Sequence, residues 1–259
     1  MSNDTILITG ASDGIGAVYA DRFAKRGANL ILVARRADRL AALAERLRGE
    51  IGVSVETIAA DLADAGDLAR VEARLRDDDA ITGLVNNAGI AGEQAFVETD
   101  PAYLTGMINL NMLAVTRLSR AIAPRLVANG AGMIVNITSV TALMPDAFTA
   151  VYPATKAYVL AFTEALRVEL GSKGVTVQAV LPGITRTPIW TEAQIANIPP
   201  EMVMDVAVMV DAALAGLDMG EAITIPALPD RGDLDAYLAA RDALRPNLSL
   251  CEAAERYRG

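Results

Sequence analysis

Short runs of β-branched and aliphatic residues alternate along this chain with longer amphipathic stretches rich in Ala, Leu and Arg, and this alternation is the strongest constraint on its fold. The runs Thr5 to Thr9, Asn29 to Ala34, Val53 to Ala59, Gly83 to Asn86, Met133 to Thr138, Val175 to Leu181 and a weaker Ala222 to Ile225 read as strands. Between them, Ile15 to Arg26, Ala37 to Arg48, Ala65 to Arg76, Pro101 to Ala128 and Ala150 to Gly171 read as helices. A strand that feeds a helix and then another strand pairs in parallel through a right-handed crossover. Strands that are apolar throughout need cover on both faces. The expectation is an α/β fold: a doubly wound parallel sheet of the Rossmann type, with about seven strands and helices on both sides.

No Ser/Gly/Pro-rich linker, low-complexity tract or repeat marks a boundary, so residues 1–259 are expected to form one domain. Its cofactor site should lie in the N-terminal two-thirds. Residues 184 to 204, with several Thr and Pro but little strand periodicity, are expected to form a loop or short helix over the site. Residues 226–259 form a C-terminal extension, helical around Leu234 to Leu244 and irregular after Pro246. The most apolar stretch, Met202 to Leu217, is interrupted by Asp205 and Asp211 and falls short of the roughly 20 residues of a bilayer span, so it reads as a core or interface helix.

With 53% hydrophobic residues the chain can bury an aliphatic core, and a net charge of -9 disfavours nucleic acid and anionic membrane as partners. A single cysteine, Cys251, and the absence of His leave no internal disulfide and no Cys/His metal site. The first strand starts too near Met1 for a signal peptide ahead of it, so a cytoplasmic setting is expected.

The first strand runs into Thr9-Gly10-Ala11-Ser12-Asp13-Gly14-Ile15-Gly16, where a helix begins. Glycines on such a turn let the backbone bend and approach a pyrophosphate, and the helix N-terminus offers N–H groups to the anion. At the end of the second strand, where a carboxylate would receive the ribose hydroxyls of NAD, the chain has Arg35 and Arg36. Guanidinium groups there favour the 2′-phosphate of NADP(H). The alternative is that both, with Arg39, form a solvated first turn of the next helix.

Tyr152 and Lys156 stand four residues apart at the start of a helix, on one face. A phenol beside an ammonium can give a proton to a developing alkoxide, or take one in the opposite direction. Ser139 follows the fifth strand and so lies at a carboxyl end, where open parallel sheets place their ligands.

In this order and spacing, Thr9-Gly10-x-x-x-Gly14-Ile15-Gly16, Asn86-Asn87-Ala88-Gly89, Asn111, Ser139, Tyr152-x-x-x-Lys156 and Pro182-Gly183 resemble the short-chain dehydrogenase/reductase family from Thr5 to about Thr187. The resemblance implies an NADP-dependent oxidoreductase acting on a carbonyl/alcohol pair. In it Tyr152 is the acid/base, Ser139 orients the substrate, and Lys156 holds the nicotinamide ribose and lowers the Tyr152 pKa. Asn111 would anchor a proton-relay water; Asn109 competes for that role, but Asn111 better fits the family's Asn-x-x-Gly/Ala pattern. Further cofactor contacts are implied for Ser12, Asp13 and Ile15 of the glycine turn, Asp61 and Leu62 at the adenine, Asn87, Ala88 and Gly89 at the ribose, and Pro182, Gly183, Ile184, Thr185 and Thr187 at the nicotinamide amide. The alternatives are that Asp61 merely caps the segment after it, and that Asn86 and Asn87 satisfy backbone groups at a strand end.

The resemblance weakens after Trp190: where many members of the family carry a Gly-Gly-containing ending, this chain reads Ile223-Thr224-Ile225-Pro226-Ala227-Leu228-Pro229. This leaves the small-molecule substrate open. Leu143, Met144, Phe148, Ile189 and Trp190 are candidate pocket residues, or core. The apolar residues of the stretches Pro101 to Ala128 and Ala150 to Gly171 exceed one buried face, which points to a homodimer or homotetramer. Two competing readings are a non-catalytic NADP-binding regulator or redox sensor, and an epimerase or dehydratase that retains its cofactor.

Overall fold

The computed structural model describes residues 4–92 and 94–258. Strands β1 (Thr5–Thr9), β2 (Asn29–Ala34), β3 (Val55–Ala59), β4 (Ile81–Asn86), β5 (Met133–Ile137), β6 (Thr176–Val180) and β7 (Ile223–Thr224) form one sheet in the order β3-β2-β1-β4-β5-β6-β7. Every pair is parallel. The chain winds outward from β1 to β3, then returns to lay β4 on the other side of β1. The strand order therefore reverses at β1/β4, where open sheets of this kind form a crevice.

Successive residues of β1 point to opposite faces, as the period of two requires. Ile6 and Ile8 enter a core with Tyr19 and Phe23 of α1 (Gly14–Lys25), Leu40 and Leu47 of α2 (Ala37–Ile51), and apolar residues of the 206–218 helix. Leu7 enters a second core with Leu68 and Val71 of α3 (Ala65–Asp77) and with Leu118 and Ile122 of the 115–129 helix. Two apolar layers on one sheet make the fold doubly wound.

The stretch expected as a single helix from Pro101 to Ala128 is helical throughout but changes pitch. It comprises α4 (Pro101–Ile108), a π-helical segment (Asn109–Ala114) and α5 (Val115–Asn129). Helix α6 (Val151–Gly171) follows β5. In the segment after β6 lies α7 (Glu192–Ala196), whose start is fixed by a reciprocal cap between Thr191 and Gln194. The two ends of this segment meet: the Arg186 amide donates to Met204 O (2.9 Å) and the Met204 amide to Ile184 O (2.9 Å).

The aspartates that interrupt the apolar Met202 to Leu217 stretch have structural roles. Asp205 caps α8 (Val206–Asp218) by accepting from the Ala207 and Val208 amides at 2.8 and 3.3 Å, so the helix begins only after it. Asp211 receives Arg22 of α1 at 2.6 and 3.0 Å, and Asp218 receives Arg26 at 2.9 and 2.8 Å. No described helix is long and apolar enough to cross a membrane.

The chain divides into a unit ending at Pro226 and a second one from Ala227 onward. The second holds α9 (Arg231–Asp242), capped by Asp230, and short 3-10 turns at Arg245–Asn247 and Glu255–Tyr257.

Candidate active site

The turn after β1 is a cradle that admits no side chain at two of its glycines. A Cβ on Gly16 would lie 2.4 Å from Gly10 O and 2.6 Å from the Asn87 side-chain nitrogen, and one on Gly10 would lie 2.7 Å from that same nitrogen. Gly10 and Gly14 also take φ of +66° and +53°, which glycine adopts without strain. The turn is braced from the end of β4. Asn87 Nδ2 donates to Thr9 O (2.9 Å) and Gly10 O (3.2 Å), while Thr9 Oγ1 accepts from the Asn87 and Ala88 amides at 2.9 and 3.0 Å. Asn87, expected at a ribose, thus has its side-chain amide engaged in holding the turn. Asp13, at the N-cap of α1, makes no side-chain cap bond, which leaves the first-turn N–H groups to an anion from outside. A nucleotide pyrophosphate fits this cradle.

Beside the turn, Arg35 is exposed at the end of β2. Arg36 pairs with Asp13 and donates to Ser12 Oγ (3.2 Å), and Arg39 reaches the same Asp13 oxygen at 3.1 Å. Three arginines therefore gather where the sequence pointed to two. The signal for the third was its place one helical turn from Arg36. Asp61 does not cap α3. Its own amide donates to Asp67 Oδ2 (2.7 Å) and its Oδ1 accepts from the Ala63 amide (3.0 Å), whereas Asp64 caps the helix, accepting from Gly66 and Asp67 at 2.9 Å each. Leu62 is buried.

At the other side of the crevice, Ser139 stands just past β5, and Tyr152 and Lys156 occupy the first turns of α6. Ser139 Oγ accepts from the Thr141 amide (3.2 Å) and is hydrogen-bonded to the Tyr152 phenol. Burial pushes the Tyr152 pKa above its usual 10.0, and the bond from Ser139 opposes that shift. Lys156 Nζ lies 5.7 Å from the Tyr152 ring centroid and donates to Ile137 O (3.1 Å). Its burial pulls the ammonium down from 10.5 to about 8.

Asn111 sits in the π-helical segment, a distortion that recurs at functional positions because it rotates side chains out of register with the helix. Its side-chain nitrogen donates to Ile90 O (2.9 Å) and Thr155 Oγ1 (3.1 Å), and its Oδ1 accepts from the Ile90 amide (3.0 Å). Asn111 and Lys156 close around Gly89, where a Cβ would lie 3.2 Å from Asn111 Oδ1 and 3.5 Å from Lys156 Nζ. Asn109 is half-buried and lies outside this set of bonds.

Beneath the site runs a buried polar chain for which the sequence held no pairing signal. Asn86 Nδ2 donates to Ser119 Oγ (3.1 Å) and Asn136 Oδ1 (2.8 Å), and Asn136 Nδ2 donates to Thr163 Oγ1 (2.9 Å). Thr138 Oγ1 also donates to Lys156 O (2.7 Å). These bonds fix α6 against β5 and so set where Tyr152 and Lys156 stand.

Above the sheet, the Val140 amide donates to Pro182 O (3.0 Å), and Thr185 Oγ1 donates to Gly183 O (3.1 Å). The Thr187 side chain approaches the glycine turn, within 3.3 Å of where a Gly14 Cβ would be. Of the candidate pocket residues, Phe148 packs against the Tyr152 ring at 5.4 Å and against Trp190 at 6.4 Å. Leu143 is half-buried, and Met144 and Ile189 are exposed.

Comparison with known proteins accords with this geometry. The family model for short chain dehydrogenases matches residues 4–197. A short-chain dehydrogenase from Sphingobium yanoikuyae, solved in complex with NADPH, is 49% identical and superposes with a TM-score of 0.95 over 98% of this chain and 100% of its own. A bulky-bulky ketone specific alcohol dehydrogenase from Comamonas testosteroni is 46% identical, with a TM-score of 0.93 over the whole of both chains. The very-long-chain 3-oxoacyl-CoA reductase of Mus musculus is 34% identical over 71% of this chain, which spans only 60% of the length of that relative. The chain belongs to the short-chain dehydrogenase family.

Proposed function

We propose that the protein is an NADP(H)-dependent oxidoreductase that interconverts a ketone and a secondary alcohol. The observation that carries this reading is the convergence of Ser139, Tyr152 and Lys156 at the carboxyl end of β5, across the switch point from a glycine cradle flanked by arginines.

The nicotinamide supplies or accepts the hydride. The chain's residues manage the proton and the geometry. Ser139, one lone pair engaged by the Thr141 amide, donates its hydroxyl hydrogen bond to the Tyr152 phenol and can turn it to the substrate oxygen once substrate is bound. Tyr152, whose burial keeps the phenol protonated at neutral pH, gives its proton as the carbonyl oxygen gains charge. Lys156 remains mostly an ammonium at pH 7 and offsets the phenolate left behind. Asn111 holds the main chain around Ile90 and the start of α6 in fixed relation, and on this reading also anchors the water that returns the proton. The glycine turn from Gly10 to Gly16 receives the pyrophosphate, Arg35 and Arg36 the 2′-phosphate, Asp61 and Leu62 the adenine, Asn87 to Gly89 the ribose region, and Pro182 to Thr187 the nicotinamide amide.

Phe148 and Trp190 next to Tyr152 favour a substrate with an apolar body around its carbonyl. The specificity named for the Comamonas testosteroni relative supports a ketone with bulky groups on both sides. A homodimer or homotetramer in the cytoplasm completes the reading. Ala161, Ala165 and Val168, exposed along α6, support the assembly.

The test is NADPH oxidation over a panel of ketones, aldehydes, β-ketoacyl thioesters and steroid substrates. Consumption of NADPH with bulky ketones is expected. Tight NADPH binding without turnover across the panel would make the protein a non-catalytic binder, and product without net NADPH consumption would make it an epimerase or dehydratase.

A further inference from the structure

The N-cap of α2 goes against the usual rules for a helix N-terminus. That position normally carries Ser, Thr, Asp or Asn as a cap and acidic residues in the first turn, because the N–H groups and the helix dipole present positive charge there. Here Arg36 is the N-cap residue, with no side-chain cap bond, and Arg39 lies in the first turn beside a single acidic residue, Asp38. Two guanidinium groups at the positive end of a helix, set against one first-turn carboxylate, favour a further anion. The anion that touches both is Asp13, which reaches across from the glycine turn. Arg36 and Arg39 meet on one atom, Asp13 Oδ2, and Arg36 also holds Ser12 Oγ at 3.2 Å. All three charged side chains are partly exposed, so an incoming ligand can reach them.

Resting on the NADP(H) reading above, we propose that Asp13 is an internal competitor for the cofactor's 2′-phosphate and sets how strongly NADP(H) is preferred over NAD(H). One carboxylate offsets one of two guanidinium charges, whereas a phosphate monoester brings between one and a half and two negative charges and three acceptor oxygens. The phosphate displaces Asp13 from Arg36 and Arg39 and joins the exposed Arg35 beside them. Recognition is then an exchange of partners in which affinity is reduced by the ion pairs that must first open. A cofactor without the 2′-phosphate leaves those pairs closed and gains nothing from opening them. Arg39 becomes a further residue that determines specificity.

The experiment is calorimetric titration of 2′,5′-ADP and 5′-AMP into the wild-type protein, Asp13→Asn, Asp13→Ser, Arg39→Ala and the Asp13→Asn/Arg39→Ala pair. Asn and Ser both suit a helix N-cap, so α1 keeps its start, and an unchanged thermal midpoint verifies this. Removing the charge is expected to tighten 2′,5′-ADP about 5-fold while 5′-AMP stays within a factor of about two. Arg39→Ala should weaken 2′,5′-ADP more in the Asp13→Asn background than in the wild type, because only there is Arg39 free of its internal partner. If the wild type binds the two nucleotides equally, the NADP(H) reading fails and this inference falls with it. If the wild type prefers 2′,5′-ADP but neither Asp13 variant raises that preference, the Asp13 proposal alone is overturned. Equal tightening of both nucleotides also overturns it, since Asp13 would then act on phosphate in general.

Discussion

The two sides of the crevice are built from different materials. Around Gly10, Gly16 and Arg35 the site consists of main chain packed too closely for a Cβ, edged by exposed guanidinium groups. Around Ser139, Tyr152 and Lys156 it consists of side chains, Ser139 and Lys156 buried and Tyr152 half-buried, and the ammonium of Lys156 is held by a backbone carbonyl. Charge on the exposed side is screened by salt. Charge on the buried side is shielded from salt but shifted in pKa by desolvation. Recognition and reactivity in this protein therefore respond to different variables, and each can be perturbed without the other.

Tyr152→Phe makes the sharpest separation. It keeps the ring packed against Phe148 but removes the proton, so turnover should fall by about 10²–10⁴-fold while the affinity for NADPH stays close to that of the wild type. Steady-state rates paired with a binding titration check this. Retention of a tenth or more of the activity would require another proton donor.

Lys156→Met tests the buried side through stability. The folded-state pKa of about 8 lies below the ordinary 10.5, so between these values the unfolded chain binds more protons and the stability of the wild type rises with pH. Below about 8 the full cost of the buried ammonium is present. Without cofactor, the Met variant should thus be more stable than the wild type at pH 7 by about 1–3 kcal/mol, with the gap closing toward pH 10.5. Denaturant melts across this range measure the gap, and a difference that does not change with pH would sink the assignment.

A smaller effect is expected on the exposed side. Arg35→Asp should lower the preference for NADPH over NADH by about 10-fold, a modest figure because the guanidinium is solvated. An unchanged ratio of dissociation constants would shift the phosphate contact to Arg36 and Arg39. The smallest effect separates the two sides by salt alone. Raising ionic strength from about 0.05 to 0.5 M should weaken NADPH binding by about 3-fold and leave the rate of the saturated enzyme unchanged. A rate that falls with salt would mean that Lys156 is more hydrated than its burial implies.

The same division governs how much could be read from the sequence. The strands were legible because buried parallel strands are written as unbroken aliphatic runs, and β1 and β2 fall on their expected limits. Ser139, Tyr152 and Lys156 were legible because a strand end and a four-residue helical spacing place them by local rules, and the structure brings them together. The change of pitch at Asn109–Ala114 was not, since six residues are too few to reveal a period longer than 3.6, and Asn111 could be preferred over Asn109 only by family pattern. Asp61 and Asp64 lie three apart before the same helix, and which of them caps it depends on backbone dihedrals rather than composition. The Asp13 link to Arg36 and Arg39 and the chain from Asn86 to Thr163 join residues distant in sequence, a pairing decided by the sheet order.

The hydrogen bonds that join Ile184 and Arg186 to Met204 have a consequence for how this protein can change. They close the intervening residues into an Ω-shaped excursion whose neck is already tied, with Pro182 bonded to Val140 on one side and α8 clamped to α1 on the other. Lengthening a loop with a fixed neck costs only the logarithm of its length, about 0.6 kcal/mol for each doubling. Insertions, deletions or whole grafts between Thr187 and Val203 should therefore leave the sheet and the proton-transfer residues intact. The arch is an exchangeable cassette through which substrate range can drift while the chemistry beneath it stays fixed.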